Sequence, residues 1–445
     1  MAENILQERF PYAEFQSSKL GGGKKTETPI STEFYFRRIQ PKSTVIDANG
    51  DASSVEIDLG WTDHPMEYTD YQGIFMRIVA TLTLDGSTQM TDANARYPAI
   101  CWPHCLFNKI ENFIQDKNIS TSLNPPQDKM VAIRSLYSNE YRLTNFSGED
   151  YVLSTTDRLD LVSSDTTKNY TYKTGDVTLY FNQLGLANSN IILPPGLSHR
   201  LVFHTLPHAD YKKGIFQGAN GDVGTNYQLD LVSFDLYVKT YKVPIVNPVK
   251  ELSLPLNMLT STKILIPAST NSTLSFTIPR WTYKIVLGLQ SVNVNTSNVH
   301  SPTEFKELDA DKDKITAIRV SKSGIVMPRS GYTFAITTGS IYQIRHAYAE
   351  YISNSQAQND PSGLESLADW TNLGRLYCFN VSPEKDTDLS VELTFATAPT
   401  SGGNNLFVFC FYKNSIKFEY DNRGVIEDVI LEQEVLPISM KSQKK

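Results

Sequence analysis

The sequence predicts an all-β protein built from two tandem antiparallel sandwiches. Three observations carry this. Runs that alternate apolar and polar residues with period two recur along most of the chain. The segments between them are rich in Asn, Asp, Gly, Ser and Pro, which favour turns and loops. At mid-chain a strand-like run, "LVSFDLYVKTYKV" from Leu231, is followed by Pro244 and Pro248, neither of which can donate to a sheet ladder. In that run Val232, Phe234, Leu236 and Val238 alternate with Ser233, Asp235, Tyr237 and Lys239.

Size and composition support the division. A chain of 445 residues exceeds one ordinary core, and 40% hydrophobic with 20% charged residues describes a folded rather than a disordered chain. Its longest apolar runs, such as "LFVFCFY" from Leu406, are too short for a membrane-spanning helix. The opening "MAENILQERFPYAEF" lacks the apolar core of a secretion signal, which points to synthesis and use in cytoplasm or nucleus. Four cysteines form no disulfide framework. The N-x-S/T sequences at Asn118, Asn145, Asn169, Asn271, Asn295 and Asn380 are then expected to stay unmodified. The net charge of −7, with local basicity only in the final "KSQKK", argues against a protein that wraps nucleic acid.

Taken in order, residues 1–30 are polar and aperiodic, contain "GGGKKTETP", and read as a flexible arm. A first sandwich is expected over 31–245. Its strands include "VEIDL" from Val55, "IFMRIVATLTL" from Ile74, "DVTLYF" from Asp176, "HRLVFHTL" from His199 and the mid-chain run. A stiff connector, "VPIVNPVKELSLPL", leads into a second sandwich over 246–430, carried by "STLSFTI", "YKIVLGL", "ITAIRV", "YTFAIT", "LSVELTF", "LFVFCFY" and "IKFEY". Residues 431–445 form a C-terminal tail. Two segments read as short helices in loops between strands. "PPQDKMVAIRSLYSNEY" places Met130, Ile133, Tyr137 and Tyr141 on one face behind two prolines, and "IYQIRHAYAEYI" does the same with Ile344, Tyr348, Tyr351 and Ile352. An internal echo, "IILPPGLSHRLVF" against "GIVMPRSGYTFAI", suggests duplication.

Candidate chemistry is sparse. Cys101, His104 and Cys105 lie within five residues, but zinc needs a fourth ligand, and Cys378 and Cys410 sit alone inside apolar strand runs. These cysteines read as small buried residues, and no metal or cofactor is expected. His199, His204 and His208 cluster around one strand, where His199 and His204 face opposite ways and cannot share a ligand. Asp309, Asp311 and Asp313 have calcium-loop spacing, yet Lys314 and Val320 stand where that loop requires Gly and Glu, so a solvated acidic loop is expected. "GGGKKT" is no phosphate loop, because Ser18 stands where its first glycine belongs. No catalytic residues are assigned, which favours a structural protein over an enzyme. The alternatives are a carbohydrate-binding or carbohydrate-cleaving β-sandwich, which would show an aromatic platform or paired acids, and a viral spike or penton subunit built on one sandwich with an insertion.

Several longer stretches resemble one family. "LFNKIENFIQDKNIS" with "MVAIRSLYSNEY", "YFNQLGLANSNIILPPGLSHRLVF", "LVSFDLYVKTYKV" and "LYCFNVSPEKDTDLSVELTFATAPTSGGNNLFVFCFYKNSIKFEYDNRGVI" resemble the double jelly-roll, hexon-like major capsid proteins of eukaryotic DNA viruses, the adintovirus, Polinton-like, adomavirus and adenovirus lineage. The resemblance spans roughly residues 50–430. It implies two tandem eight-stranded jelly rolls standing upright in a shell. Three copies would then form a pseudo-hexameric homotrimer that tiles an icosahedral capsid. Partners would be neighbouring capsomers, and penton and minor capsid proteins reached through the N-terminal arm, with no sequence-specific nucleic acid. The protein would reside in the virion, after synthesis in the host cytoplasm and assembly in the host nucleus. The 23 Tyr and 21 Phe residues suit interface anchors.

Overall fold

The computed structural model describes residues 34–41, 54–58, 67–84, 96–98, 102–136, 192–193, 198–206, 216–218, 227–242, 251–292, 304–311, 314–333, 341–355, 366–372, 374–420, 426–435 and 437–441. In chain order the first half carries β1 (Phe34–Ile39), β2 (Ser54–Asp58), β3 (Glu67–Leu84), β4 (Arg96–Pro98), β5 (Phe107–Ile114), β6 (Lys117–Ser122), α1 (Pro125–Leu136), β7 (Ile192–Leu193), β8 (His199–Thr205), β9 (Phe216–Gly218) and β10 (Tyr227–Lys242). The second half carries β11 (Glu251–Leu265), β12 (Asn271–Thr277), β13 (Thr282–Ser291), β14 (Ile315–Lys322), β15 (Ile325–Thr333), α2 (Ile341–Asn354), α3 (Leu367–Asn372), β16 (Leu376–Asn380), β17 (Asp388–Phe395), β18 (Asn404–Tyr420), β19 (Ile426–Leu431) and β20 (Ser439–Met440).

One strand order occurs twice. In the first half the two main sheets run β1-β10-β3-β7 and β2-β8-β5-β6, with β4 and β9 paired apart. In the second half they run β11-β18-β13-β16, with β19 also on β18, and β15-β14-β17-β12-β20. Setting aside β4 and β9 in one half and β19 and β20 in the other leaves eight strands in each. Their orders are then first-eighth-third-sixth and second-seventh-fourth-fifth in both halves. The nested antiparallel pairs are β1 with β10, β2 with β8, β3 with β7 and β5 with β6, then β11 with β18, β12 with β17, β13 with β16 and β14 with β15. A long hairpin wrapped on itself gives this nesting, and the fold is a double jelly roll.

The repetition reaches local structure. The fourth and fifth strands of each roll join through two residues with positive φ: Gln115 (47°) and Asp116 (62°) in the first, Ser323 (53°) and Gly324 (77°) in the second. Two left-handed residues twist with the flanking strands, which is why they suit a tight hairpin. The helices also occupy matching places, between fifth and sixth strands. The echo read from the sequence is not part of this repetition. "IILPPGLSHRLVF" spans β7 to β8, the sixth and seventh strands, whereas "GIVMPRSGYTFAI" lies on and after β15, a fifth strand.

Each core lies between two sheets. In the first roll Val55, Ile57, Ile110, Leu201 and Phe203 are buried from one sheet and Leu236 and Val238 from the other. Phe107 and Phe203 meet with ring centroids 5.2 Å apart. In the second, Leu274, Phe276, Ile318 and Val391 pack with Ile285, Leu287, Phe407 and Phe409 in one cluster. Alternation is clean where one face meets solvent, as on β8 and β17. It disappears on β13 and β16, which are buried almost residue for residue. Helix α2 packs on β16 there, so the outer face of that sheet is covered too.

The segment 243–250, with Pro244 and Pro248, lies outside the described residues, as do residues 1–33 and the expected strand from Asp176. The structure corrects the connector's far end: "ELSLPL" already belongs to β11, and Pro255 is tolerated there because β11 is an edge strand bonded only to β18. The edge strand β1 has no counterpart among the runs read from sequence. The chain's end also returns to the fold, since β20 pairs with β12.

Candidate functional site

The histidines and acids singled out in the sequence fall into separate structural roles. Cys101 lies outside the described residues. His104 and Cys105 are buried in a 3-10 turn over Trp102–Leu106. Burial and the nearby Lys129 charge hold the His104 imidazole well below its ordinary pKa, and its Nδ1 has no hydrogen-bond partner among the described residues. His199 points into the first core, bonded to the Asn112 side chain, and burial pushes its pKa down to about 3. His204 points outward, 2.8 Å from Glu111, which Lys109 also contacts at 2.7 Å. Burial raises the Glu111 carboxyl, but hydrogen bonds from Lys109 and His204 outweigh it and hold it below the usual range. His208 lies outside the described residues. Among the described residues no three His, Cys, Asp or Glu side chains gather as a metal site.

Asp311 overturns the solvated-loop reading. It is buried and accepts hydrogen bonds from Lys314 Nζ (2.9 Å), the Thr400 N–H (2.9 Å) and hydroxyl (2.9 Å), and Asn404 Nδ2 (2.6 Å). Burial raises its carboxyl, and these donors, Lys314 first, more than offset that and lower it. Asp311 is a structural tie between the 309–311 turn and the 400–404 loop. Asp313 lies outside the described residues. Cys378 and Cys410 are buried thiols, and burial raises the Cys410 pKa.

The most unusual chemistry lies where the rolls meet, around α1. Pro125 and Pro126 open the helix, where no intrahelical N–H is required. The Asp128 carboxylate accepts from the Asn124 N–H (3.3 Å) and the Ser122 hydroxyl (2.7 Å), and the Asp128 N–H donates to the Asn124 carbonyl (2.8 Å). That reciprocal pair closes the helix N-terminus. Burial pushes the Asp128 carboxyl up to about 6 against the pull of hydrogen bonds from Ser261, Ser122 and Asn124. Although α1 belongs to the first half in sequence, its Met130, Val131 and Ala132 lie in the core cluster of the second roll.

The other half supplies caps for its C-terminus. The last four carbonyls of a helix have no intrahelical donor. Tyr351 OH donates to the Arg134 carbonyl (2.8 Å) and Lys284 Nζ to the Ser135 carbonyl (3.2 Å). Arg134 Nη2 donates to the Gly374 carbonyl (2.7 Å), and its guanidinium lies 6.0 Å from the Tyr351 ring. Asn124 Nδ2 to Ser261 Oγ (3.0 Å) and Gln127 Nε2 to Gln290 Oε1 (3.1 Å) complete the bridge. Sequence reading missed Lys129 and Arg134 as buried cations. The available signal was a charge on either side of the apolar run "MVAI". The arrangement ties α1 of the first half to residues of the second.

No protein-family model and no curated protein matches the sequence. Solved structures do match the fold. A chain of the Sputnik virophage particle superposes with a TM-score of 0.60 at 10% identity, over 95% of this chain and 93% of that one. The mavirus major capsid protein matches at TM-score 0.51 and 12% identity, over 95% and 94%. The Faustovirus major capsid protein matches at TM-score 0.50 and 9% identity, over 93% and 98%. This chain shares with these viral proteins, over nearly its whole length, the double jelly-roll fold.

Proposed function

We propose that the chain is the major capsid protein of a DNA virus, a structural protein and not an enzyme, and that three copies form a pseudo-hexameric capsomer. The repeated eight-strand order carries this reading. Two rolls of one topology, bridged by α1, offer two similar blocks per chain and so six per trimer, a shape that tiles a plane. Interfaces of this kind work by burying apolar surface at about 25 cal/mol per Å², and obligate ones commonly bury on the order of several thousand Å². Solved capsid proteins with the same fold over nine-tenths of the chain support the reading. Two rolls tell against a spike or penton subunit built on one.

In the same reading the division is arm 1–30, first roll 31–245, second roll 246–430 and tail 431–445. The arm engages neighbouring capsomers, pentons or minor capsid proteins. The protein works in the virion, after synthesis in host cytoplasm and assembly in the host nucleus. Negative-stain microscopy with light scattering of the purified chain tests the core of it. Six-lobed trimers are expected, and a monomer at micromolar concentration overturns it.

A further inference from the structure

In the second roll the sheet led by β15 carries β20, which its eight-strand order does not need. The contacts of β20 are few and specific. Ile438 is buried in the core cluster. Ser439 and Met440 pair with Thr277 and Phe276. The Lys441 N–H donates to the Ser275 carbonyl (2.8 Å), and its ammonium pairs with the exposed Asp388 carboxylate. Further along the same edge of β12, the Ser269 hydroxyl donates to the Asn271 carbonyl (2.8 Å) and accepts from the Asn271 N–H (3.3 Å). The edge of β12 is therefore blocked at both ends, once by the Ser269 side chain and once by the chain's own Ile438–Lys441. An unpaired edge is a template for another strand, and this one is closed by a plug of four residues.

The plug hangs on a short tether. Gln433 is held through its N–H to Asn414 Oδ1 (3.2 Å) and its side chain to the carbonyls of Arg280 (3.2 Å) and Lys413 (3.0 Å). Only residues 434–437 separate that hold from Ile438, and Pro437 stands directly before the plug. One buried apolar side chain, a two-residue ladder extended by the Lys441 N–H bond and one solvent-exposed ion pair make a detachable segment. Fully extended, the five steps from Gln433 to Ile438 reach about 17 Å.

We propose that the β12 edge is a strand-acceptor site whose occupant is exchanged on assembly. It holds the chain's own Ile438–Lys441 in the free subunit and the same segment of a second copy in the capsomer or shell. Every copy carries the identical plug, so the seat and its contacts serve an exchanged one unchanged. The tether confines exchange to a copy whose β12 edge lies within its reach. The inference rests on the capsid reading in that the second copy is a capsomer or shell neighbour.

Cysteines placed at the paired positions test it. Full-length Thr277→Cys/Ser439→Cys closes a disulfide within one chain and confirms the register. Full-length Thr277→Cys and Ser439→Cys chains, differently tagged, are then mixed, assembled and oxidised with copper-phenanthroline. A covalent dimer containing both tags is expected, and it should fall at least tenfold when Ile438→Asp is added to the Ser439→Cys chain. Absence of the mixed dimer, in particles or in the soluble protein at high concentration, overturns exchange. Microscopy of the same samples reads capsomers and shells separately: particles without mixed dimer sink the exchange alone, whereas monomers sink the capsid reading.

Discussion

Among the described glycines, Gly374 leaves the least room for a side chain. Its φ is +90°, and a Cβ there would lie 1.9 Å from the Phe305 carbonyl oxygen. Phe305 is held edge-on to Phe407 and Phe409, at 6.0 and 5.7 Å. Gly374→Ala is therefore expected to cost about 3 kcal/mol or more, from strained backbone and displaced core together. Denaturant unfolding checks this, and a loss under about 1 kcal/mol would show that the Phe305 segment moves aside freely. The buried titrating groups make a second residue-scale prediction. His199 and His104 bind their protons less well folded than unfolded, because burial disfavours the imidazolium. Their contribution is present above the ordinary imidazole pKa of 6.5 and is lost as pH falls below it, down to about 3 for His199. Asp128 works the other way: its carboxyl, raised from 3.8 to about 6, contributes most below 3.8 and loses that as pH rises through 6. Two imidazoles outweigh one carboxyl, so stability should fall between pH 6.5 and 4, by at most about 1.4 kcal/mol per pH unit per proton. His199→Gln should flatten that acid limb. An unchanged slope in chemical denaturation across this range would refute the assignment.

Among the elements, α1 takes hydrogen-bond partners from both halves of the chain. Its N-terminus is closed by first-roll residues Ser122 and Asn124, and its C-terminal carbonyls are capped by Lys284 and Tyr351 from the second roll. Arg134→Met keeps the bulk of the side chain but leaves the buried Gly374 carbonyl without its donor. A loss of about 2–3 kcal/mol is expected, the range for a buried hydrogen bond to a charged group. Hydrogen exchange distinguishes the reasons. Protection should fall in α2 and β16 as well as in α1. Loss confined to residues 102–136 would show that the helix belongs energetically to the first roll alone.

At the scale of the whole molecule, the proposed function gives residues 1–30 a partner-binding role. Ile5, Leu6, Phe10, Tyr12 and Phe15 give this segment more apolar content than a solubilising tail needs, and in that reading Gly21–Gly23 would serve as a hinge. Deletion of residues 2–24 is expected to leave trimers intact but to lower shell yield or the force at which shells break. Shells of normal yield and stiffness, read by microscopy and indentation, would refute the clamp.

Much of this architecture was legible in the residues, and the limits of that reading are physical. Period-two runs such as "HRLVFHT" and "DLSVELTF" reported half-buried strands directly, because side-chain alternation is local. The opposed orientations of His199 and His204 followed from the same rule. The two-sandwich plan came from repetition of such runs, whereas eight strands per roll came only with the resemblance to a known family. Nesting order did not, since the pairing of β11 with β18 joins residues some 150 positions apart and leaves no local trace. Burial of Asp311, Lys129 and Arg134 was equally hidden, because a charged residue reads as solvated until its partners arrive from elsewhere in the chain. The α1 helix was visible as a period of 3.6 residues, but its place in the core of the other roll was not. The sequence by itself determined the clearly alternating strands, the two longer helices and which of their faces are apolar, but not β1, the start of β11, α3 or β20. Only the tertiary structure decided which apolar faces meet, because that depends on contacts between distant segments and on where buried polar groups find their donors.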